Sequence, residues 1–281
     1  MKVRQAAFAG HFYPADQEEL TRLLQKLIVQ DKDKKIAKPF AIIAPHAGYA
    51  YSGKTAGKTY ASVSVPDVVF VLSPNHTGIG HPISLDNSCT WVSPLGSINV
   101  ETELLNKLNK RVPEAVFDNG AQLREHALEV HIPFIQTMNP KASIVPITLS
   151  CLPFEFINRL GVAIADMIME IERVEGFRPL IVASSDMNHF ESEDVSMKKD
   201  MEAIDLIKKL DAKAFLDFLE KRNVSLCGLY PIAVTIQAIL HYAQYTKQTP
   251  EVELIDYTNS SLVTGDKSNV VSYAGMVFHL T

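Results

Sequence analysis

Three apolar runs of strand length constrain this chain most: residues 40–44 (FAIIA), 67–72 (DVVFVL) and 180–184 (LIVAS). A near-continuous apolar run, such as 67–72, suits a central strand covered on both faces, the usual state of a sheet packed between helices. Each run ends in small residues or a proline and then in groups that carry chemistry. His46 closes FAIIAPHAGYAY (residues 40–51), and His76 closes DVVFVLSPNHTG (residues 67–78). Asp186, Asn188 and His189 close PLIVASSDMNHF (residues 179–190). In an open α/β sheet, ligands bind in the crevice beyond the carboxyl ends of the strands. Imidazoles delivered to that edge from different strands are therefore expected to meet at one ion.

The rest of the chain alternates strand and helix patterns. Asp16 and Glu19 read as a capping box, followed by Leu20, Leu23, Leu24, Leu27 and Ile28 at helical spacing. Residues 31–38 (DKDKKIAK) read as a solvated turn. Helices are expected near residues 54–63, 101–110, 125–138, 154–172, 192–210 and 212–220, with another opened by Pro231. Further strands are expected at 3–8, 82–85, 89–92, 142–149, 251–257 and 270–280, with 82–85 and 89–92 forming a hairpin. No repeat, low-complexity tract or Pro/Gly/Ser-rich linker divides the 281 residues. The expectation is one α/β domain over residues 1–281, a mixed sheet sandwiched between helix layers.

Composition excludes some functions. The net charge of -5 and the lack of a basic stripe argue against nucleic-acid binding. No apolar stretch approaches the roughly 20 residues that span a bilayer, and Gly10, His11 and Asp16 interrupt any signal-peptide core. Cys89, Cys151 and Cys227 are odd in number and form no CxxC pair. The chain reads as a cytoplasmic protein with reduced thiols.

A metal site at His46 and His76 needs a third group. Cys227, in SLCGLYP (residues 225–231), precedes a helix start whose dipole favours thiolate, the form that binds metal. Asp186 is the competing candidate, and spacing does not rank one above the other. Cys89 and Cys151 read as buried structural cysteines. Asp186 could instead cap the following helix. His189, three residues beyond Asp186, suits proton transfer. GYAYSGKT (residues 48–55) satisfies the Walker A pattern, but Tyr49 and Tyr51 are too bulky for a loop that wraps phosphates. Its glycines are expected to bring backbone close to the His46 site. In EHALEVH (residues 125–131) the histidines are five apart rather than the four a zinc-protease helix requires. Glu125 and Glu129 then read as a solvated stripe.

Taken in order, RQAAFAGHFYP (residues 4–14), APHAGYAYSG (44–53), SPNHTG (73–78), EHALEVHIPF (125–134), SSDMNHF (184–190) and CGLYP (227–231) resemble the MEMO family. Its archaeal and bacterial members are called AmmeMemoRadiSam system protein B. The resemblance implies a fold similar to the class III, LigB-type extradiol dioxygenases, whose non-haem iron is held by two histidines and a carboxylate. It implies His46, His76 and Cys227 as metal ligands, with Asp186 and His189 as the catalytic proton-handling pair. The glycines of GYAYSGKT then belong to the His46 motif and not to a nucleotide loop. A thiolate in place of the dioxygenase carboxylate puts ring cleavage in doubt and shifts preference toward copper(I), zinc or iron–thiolate chemistry. The implied cofactor is iron or copper, with zinc as a third candidate, and the implied activity is that of an oxidoreductase. The alternative is a non-catalytic module that uses the cleft for a small molecule, a peptide or a metal cargo. The system name adds radical-SAM and AMMECR proteins as expected partners.

Overall fold

The computed structural model describes residues 2–29 and 36–281, so most of the expected solvated turn lies outside the described residues. The strands are β1 (Val3–Arg4), β2 (Ala41–Ala44), β3 (Val68–Pro74), β4 (Ile83–Leu85), β5 (Thr90–Ser93), β6 (Gly96–Val100), β7 (Ala115–Phe117), β8 (Ser143–Leu149), β9 (Leu180–Ser184), β10 (His189–Glu191), β11 (Pro250–Asn259) and β12 (Val270–Leu280). The helices are α1 (Gln17–Leu27), α2 (Tyr49–Ala61), α3 (Thr102–Arg111), α4 (Gly120–Leu123), α5 (His126–Glu129), α6 (Ile132–Met138), α7 (Phe154–Glu175), α8 (Glu193–Lys208), α9 (Ala212–Arg222), α10 (Leu229–Thr246) and α11 (Ser261–Thr264).

Four parallel strands form the centre of the sheet in the order β8-β3-β9-β2. β12 closes against β2 in antiparallel fashion and also pairs with β11 and β10. On the other side, β8 shares its outer edge between β6 at its start and β4 at its end. The sheet is therefore mixed, as expected. Val69, Phe70, Val71 and Leu72 of β3 are all fully buried, so no alternation is left to see. Each such side chain contributes roughly 1.5–3 kcal/mol through burial. α7 and α10 pack together, with α10 against β3 and β9, while α2 lies against β2, β11 and β12 and carries α1 and α6. One continuous hydrophobic core runs from Tyr13 to Phe278.

The Asp16 cap forms, its carboxylate accepting the Glu19 N–H at 2.9 Å. Other expectations shift for identifiable reasons. The first strand is only two residues long. The hairpin joins β5 to β6, not β4 to β5; β4 instead pairs with β7 and β8. α2 begins at Tyr49, with Gly48 as its N-cap two residues past His46, so all of the GYAYSGKT segment after Gly48 is helix rather than loop. Its Gly57 faces α1: a Cβ there would stand 2.3 Å from the Leu27 carbonyl oxygen. Gly53, where a Cβ would stand 2.9 Å from Leu27 Cδ1, serves the same helix packing, whereas Gly48, at the N-cap, lies against the Phe12 backbone. The single helix expected over residues 125–138 is broken into α5 and α6, because Pro133 has no N–H to continue the ladder.

Candidate metal centre

The register of the central strands sets the site. Ala44 of β2 lies opposite Ser184 of β9, and Leu72 of β3 lies opposite Ala183, so the three strands finish at one level. His46, Asp186 and His76 follow those ends within two residues each. Cys227 arrives from the opposite direction, on the loop before α10, whose N-cap is Gly228. A Cβ on Gly228 would stand 2.4 Å from the Ser184 carbonyl oxygen and 2.3 Å from Ser185 Cβ. The loop can lie that close to β9 only because position 228 has no side chain.

The structure brings His46 and His76 together, their ring centroids 5.1 Å apart. It adds a third imidazole that the pattern of residues did not reveal. His126 stacks on His76 at 4.7 Å and stands 5.4 Å from His46. One ring nitrogen from each of these histidines lies within 4.8 Å of the others, a spacing that can hold a metal ion. Cys227 Sγ is 3.1 Å from His46 Nε2 and accepts the Asp186 N–H at 3.3 Å. Both candidates for the third ligand therefore stand beside His46, but Asp186 turns its Oδ1 to the backbone, accepting the His46 N–H at 2.8 Å and the Ala47 N–H at 3.3 Å. It does not cap α8, whose N-cap is Ser192.

Glu125, expected on a solvated face, is fully buried beneath His76. Its Oε2 accepts the His76 N–H at 2.6 Å and its Oε1 accepts Nδ1–H at 2.9 Å. Burial pushes this carboxyl up, but the His76 hydrogen bonds outweigh it and hold Glu125 below its ordinary pKa. A carboxylate on Nδ1 leaves Nε2 with its lone pair free, the arrangement found behind metal-bound histidines. His189 donates Nδ1–H to the Ser225 carbonyl at 2.7 Å, so its Nε2 is likewise the open atom. Asn188 faces away from the centre. It is fully buried and clamps the loops together, its Oδ1 accepting the Ser225 N–H at 3.0 Å and its Nδ2 donating to Glu191 at 2.6 Å.

The electrostatics favour neutral imidazoles. Burial, then the neighbouring histidines, holds His46 well below its ordinary pKa. Burial pushes His126 down to about 4, against a smaller opposing pull from Glu125. Burial pushes Asp186 up to about 6, opposed by the His46 N–H and by the charge of His189. Cys227 corrects an expectation: burial, then the Asp186 charge, pushes its thiol well above the ordinary value despite the helix start that follows it. In the metal-free protein the sulfur keeps its proton. A dication in the proton's place reverses the balance, since coordinated thiols are deprotonated.

The remaining polar groups of the EHALEVH segment are also buried. Glu129 accepts Arg4 Nη1 at 2.6 Å and Ala7 N–H at 3.0 Å on one oxygen, and Phe8 N–H at 2.8 Å and Tyr13 Oη at 2.6 Å on the other. This ties down the N-terminal segment, whose Phe12 ring packs on His126 at 4.4 Å. Cys89 is half-buried and Cys151 exposed, so neither is the buried cysteine expected. His241 pairs with Asp166 and His279 with Glu253, apart from the centre. Two large grooves of the surface, about 640 Å³ beside Lys58 and Leu254 and about 460 Å³ between α7 and α10, hold none of the site residues. Among the described residues no helix is long and apolar enough to cross a membrane.

Comparison with known proteins agrees with the resemblance in the motifs. The family model described as Memo-like protein matches residues 4–277. A MEMO1 family protein of Aquifex aeolicus is 38% identical over 99% of this chain and 100% of its own. MEMO1 family proteins of Methanopyrus kandleri and Archaeoglobus fulgidus are each 34% identical, covering 98% and 99% of this chain and 98% and 100% of their own.

Proposed function

The chain belongs to the Memo-like protein family, and from that premise we propose that it holds a single transition-metal ion at the carboxyl ends of β2, β3 and β9. The observation that carries the reading is the convergence of His46, His76 and His126 donor nitrogens within 4.8 Å, with Cys227 Sγ at 3.1 Å from His46 Nε2. The donor set fits an ion: burial holds His46 and His126 neutral, His76 is backed by a carboxylate, and the thiol has a proton to exchange for a cation. His46, His76 and Cys227 are the ligands in this reading, and His126, stacked on His76, is the donor in reserve. A set of two imidazoles and a thiolate favours iron or copper, then zinc. When bound, an ion with a free position supplies redox or oxygen chemistry.

The chain's own residues then handle protons and position. Asp186, pushed up to about 6 by burial and so mostly ionised at neutral pH, anchors the His46 backbone and offers a carboxylate beside the sulfur. His189 Nε2, left open by the bond to Ser225, accepts or returns a proton close to Asp186. Metal content and oxygen uptake measured on the same preparations, purified without chelator or affinity tag, test the assignment. His46→Ala and His76→Ala should lose iron or copper and any oxygen uptake together. His189→Ala should keep the ion and lose about 10²–10⁴-fold in rate. An ion-free wild-type protein that cannot be loaded would end the metal reading. A folded His189→Ala protein that loses its ion as fully as His46→Ala would make His189 a ligand instead.

One observation favours a second reading, a module that binds a peptide or protein partner at the same cleft. Phe190, next to His189, is 73% exposed and held at φ 63, a left-handed conformation that costs a bulky residue roughly 1–3 kcal/mol. An exposed aromatic ring maintained against strain at the rim suits contact with a partner such as the radical-SAM or AMMECR proteins of the system. Partner binding that survives loss of the metal ligands and fails in Phe190→Ala would favour this reading.

A further inference from the structure

We infer that Ser184 is a positioning residue that fixes the tautomer of His46 and so aims the bare Nε2 lone pair at the sulfur and the ion site. The inference rests on the proposed metal reading for its purpose, but not for its geometry. Ser184 is the last residue of β9 and is fully buried. Its Oγ makes three close polar contacts: the Ala127 carbonyl at 2.6 Å, His46 Nδ1 at 2.7 Å and His131 Nε2 at 2.9 Å.

A hydroxyl has one proton to give and two lone pairs to receive with. The Ala127 carbonyl has no proton, so a 2.6 Å separation between two oxygens requires the serine proton to lie between them. That commits the only proton Ser184 has. Both imidazole nitrogens must then donate: His46 carries Nδ1–H and His131 carries Nε2–H. The second half of the deduction checks itself, because His131 Nδ1 is buried with no partner. A proton on that atom would be a buried donor without an acceptor, the costlier state. Burial also pushes His131 down to about 3, so it is neutral with a single ring proton.

With Nδ1–H fixed on neutral His46, Nε2 is unprotonated and faces Cys227 Sγ at 3.1 Å. The break between α5 and α6 makes this lock available. The His131 amide, which in a continuous helix would bond the Ala127 carbonyl, goes to the Leu128 carbonyl at 3.1 Å. Ala127 is thus left to take the serine proton. Glu125 does for His76 by a charge what Ser184 does for His46 by counting protons. Imidazoles in water prefer the other tautomer, with the proton on Nε2, which would present a donor to an incoming cation.

The test is long-range ¹H–¹⁵N NMR of the histidine rings in metal-free protein at pH 7.5, with iron(II) and copper(I) affinities measured in parallel. The wild type should show His46 in the Nδ1–H form before any metal is added. Ser184→Ala should move His46 toward the Nε2–H form and lower affinity about 10–100-fold, as loss of an orienting partner does. Ser184→Thr, which keeps the hydroxyl, should restore the Nδ1–H form. Observation of Nε2–H on His46 in the unmodified protein overturns the inference whatever the variants do. So does a folded Ser184→Ala protein whose His46 stays in the Nδ1–H form. Wild-type protein in the Nδ1–H form that takes up neither metal supports the role of Ser184 and removes the metal reading alone.

Discussion

Glu125 and Glu129 lie one helical turn apart on the same segment, both buried, and serve two different polar clusters. Around Glu129, donors fill both oxygens: Arg4, Tyr13 and the backbone amides of Ala7 and Phe8 leave the carboxylate nothing further to accept. Around Glu125, both oxygens are also occupied, by the Ala127 N–H at 2.9 Å and by the backbone and ring of one histidine whose other nitrogen stays open. The first cluster is closed and the second ends in lone pairs. A closed buried network rigidifies, while one that stops short of saturation still has a ligand to take. The difference separates scaffold from site within five residues of sequence.

The largest expected effect breaks the closed cluster. Glu129→Ala leaves Arg4 buried without its partner and should destabilise the protein by about 3–5 kcal/mol, read by urea denaturation. If the comparison holds, the open cluster responds in binding rather than in folding. Cys227→Ala should lose most bound metal by mass spectrometry after dialysis, with the midpoint of metal-free unfolding little changed. Cys89→Ala and Cys151→Ala should keep their metal, and equal content in all three variants would contradict the assignment.

Glu125→Gln sharpens the comparison further. The amide keeps the shape but loses the charge behind His76, so metal affinity should fall about 10–100-fold in a competition titration. A smaller effect comes from His131, which joins the two α-helical fragments to Ser184. Its folded pKa of about 3 lies below the ordinary 6.5, so between these values the unfolded chain binds more protons. This contribution is intact above pH 6.5 and is lost as pH falls toward 3, at up to about 1.4 kcal/mol per pH unit. Denaturation at pH 7, 6 and 5 should show the slope, and His131→Phe should flatten it. The smallest expected effect is none at all: Lys54 is exposed on α2, and Mg-ATP should give no calorimetric signal that Lys54→Ala abolishes.

The sheet was largely legible because its central strands are buried on both faces and so carry uninterrupted apolar runs. β6 (GSINV) and β7 (AVF) were not, being short strands with little apolar signal, β6 interrupted by polar residues and β7 only three residues long at a sheet edge. His46 and His76 stood out by position, a proline and an imidazole just past a strand. Glu125 and His126 were noticed only as part of a zinc-protease pattern whose spacing failed, and Ser184 stood out by nothing local. Helical spacing placed Glu125 and Glu129 on one face without saying that the face is inward. The protonated state of Cys227 was misread because a helix start is visible in sequence, whereas the burial and the Asp186 charge that override it come from residues forty positions away.

The contact of Gly228 with the end of β9 fixes the tolerance of the centre. The Gly228 main chain lies against the Ser184 carbonyl and the Ser185 Cβ, neither of which has a rotamer to relax into, and donates its N–H to Ser185 Oγ at 3.1 Å. The sulfur and the buried His46 therefore form a rigid jaw whose gap is set by the fold. His76, with a third of its side chain in solvent, is held by side chains rather than main chain: the Glu125 carboxylate and the stacked His126 ring. If the centre takes an ion, ions of different radius would be accommodated by movement on the His76 side; selectivity among metals would then be a property of the exposed jaw, and a side chain added at 228 would open the other.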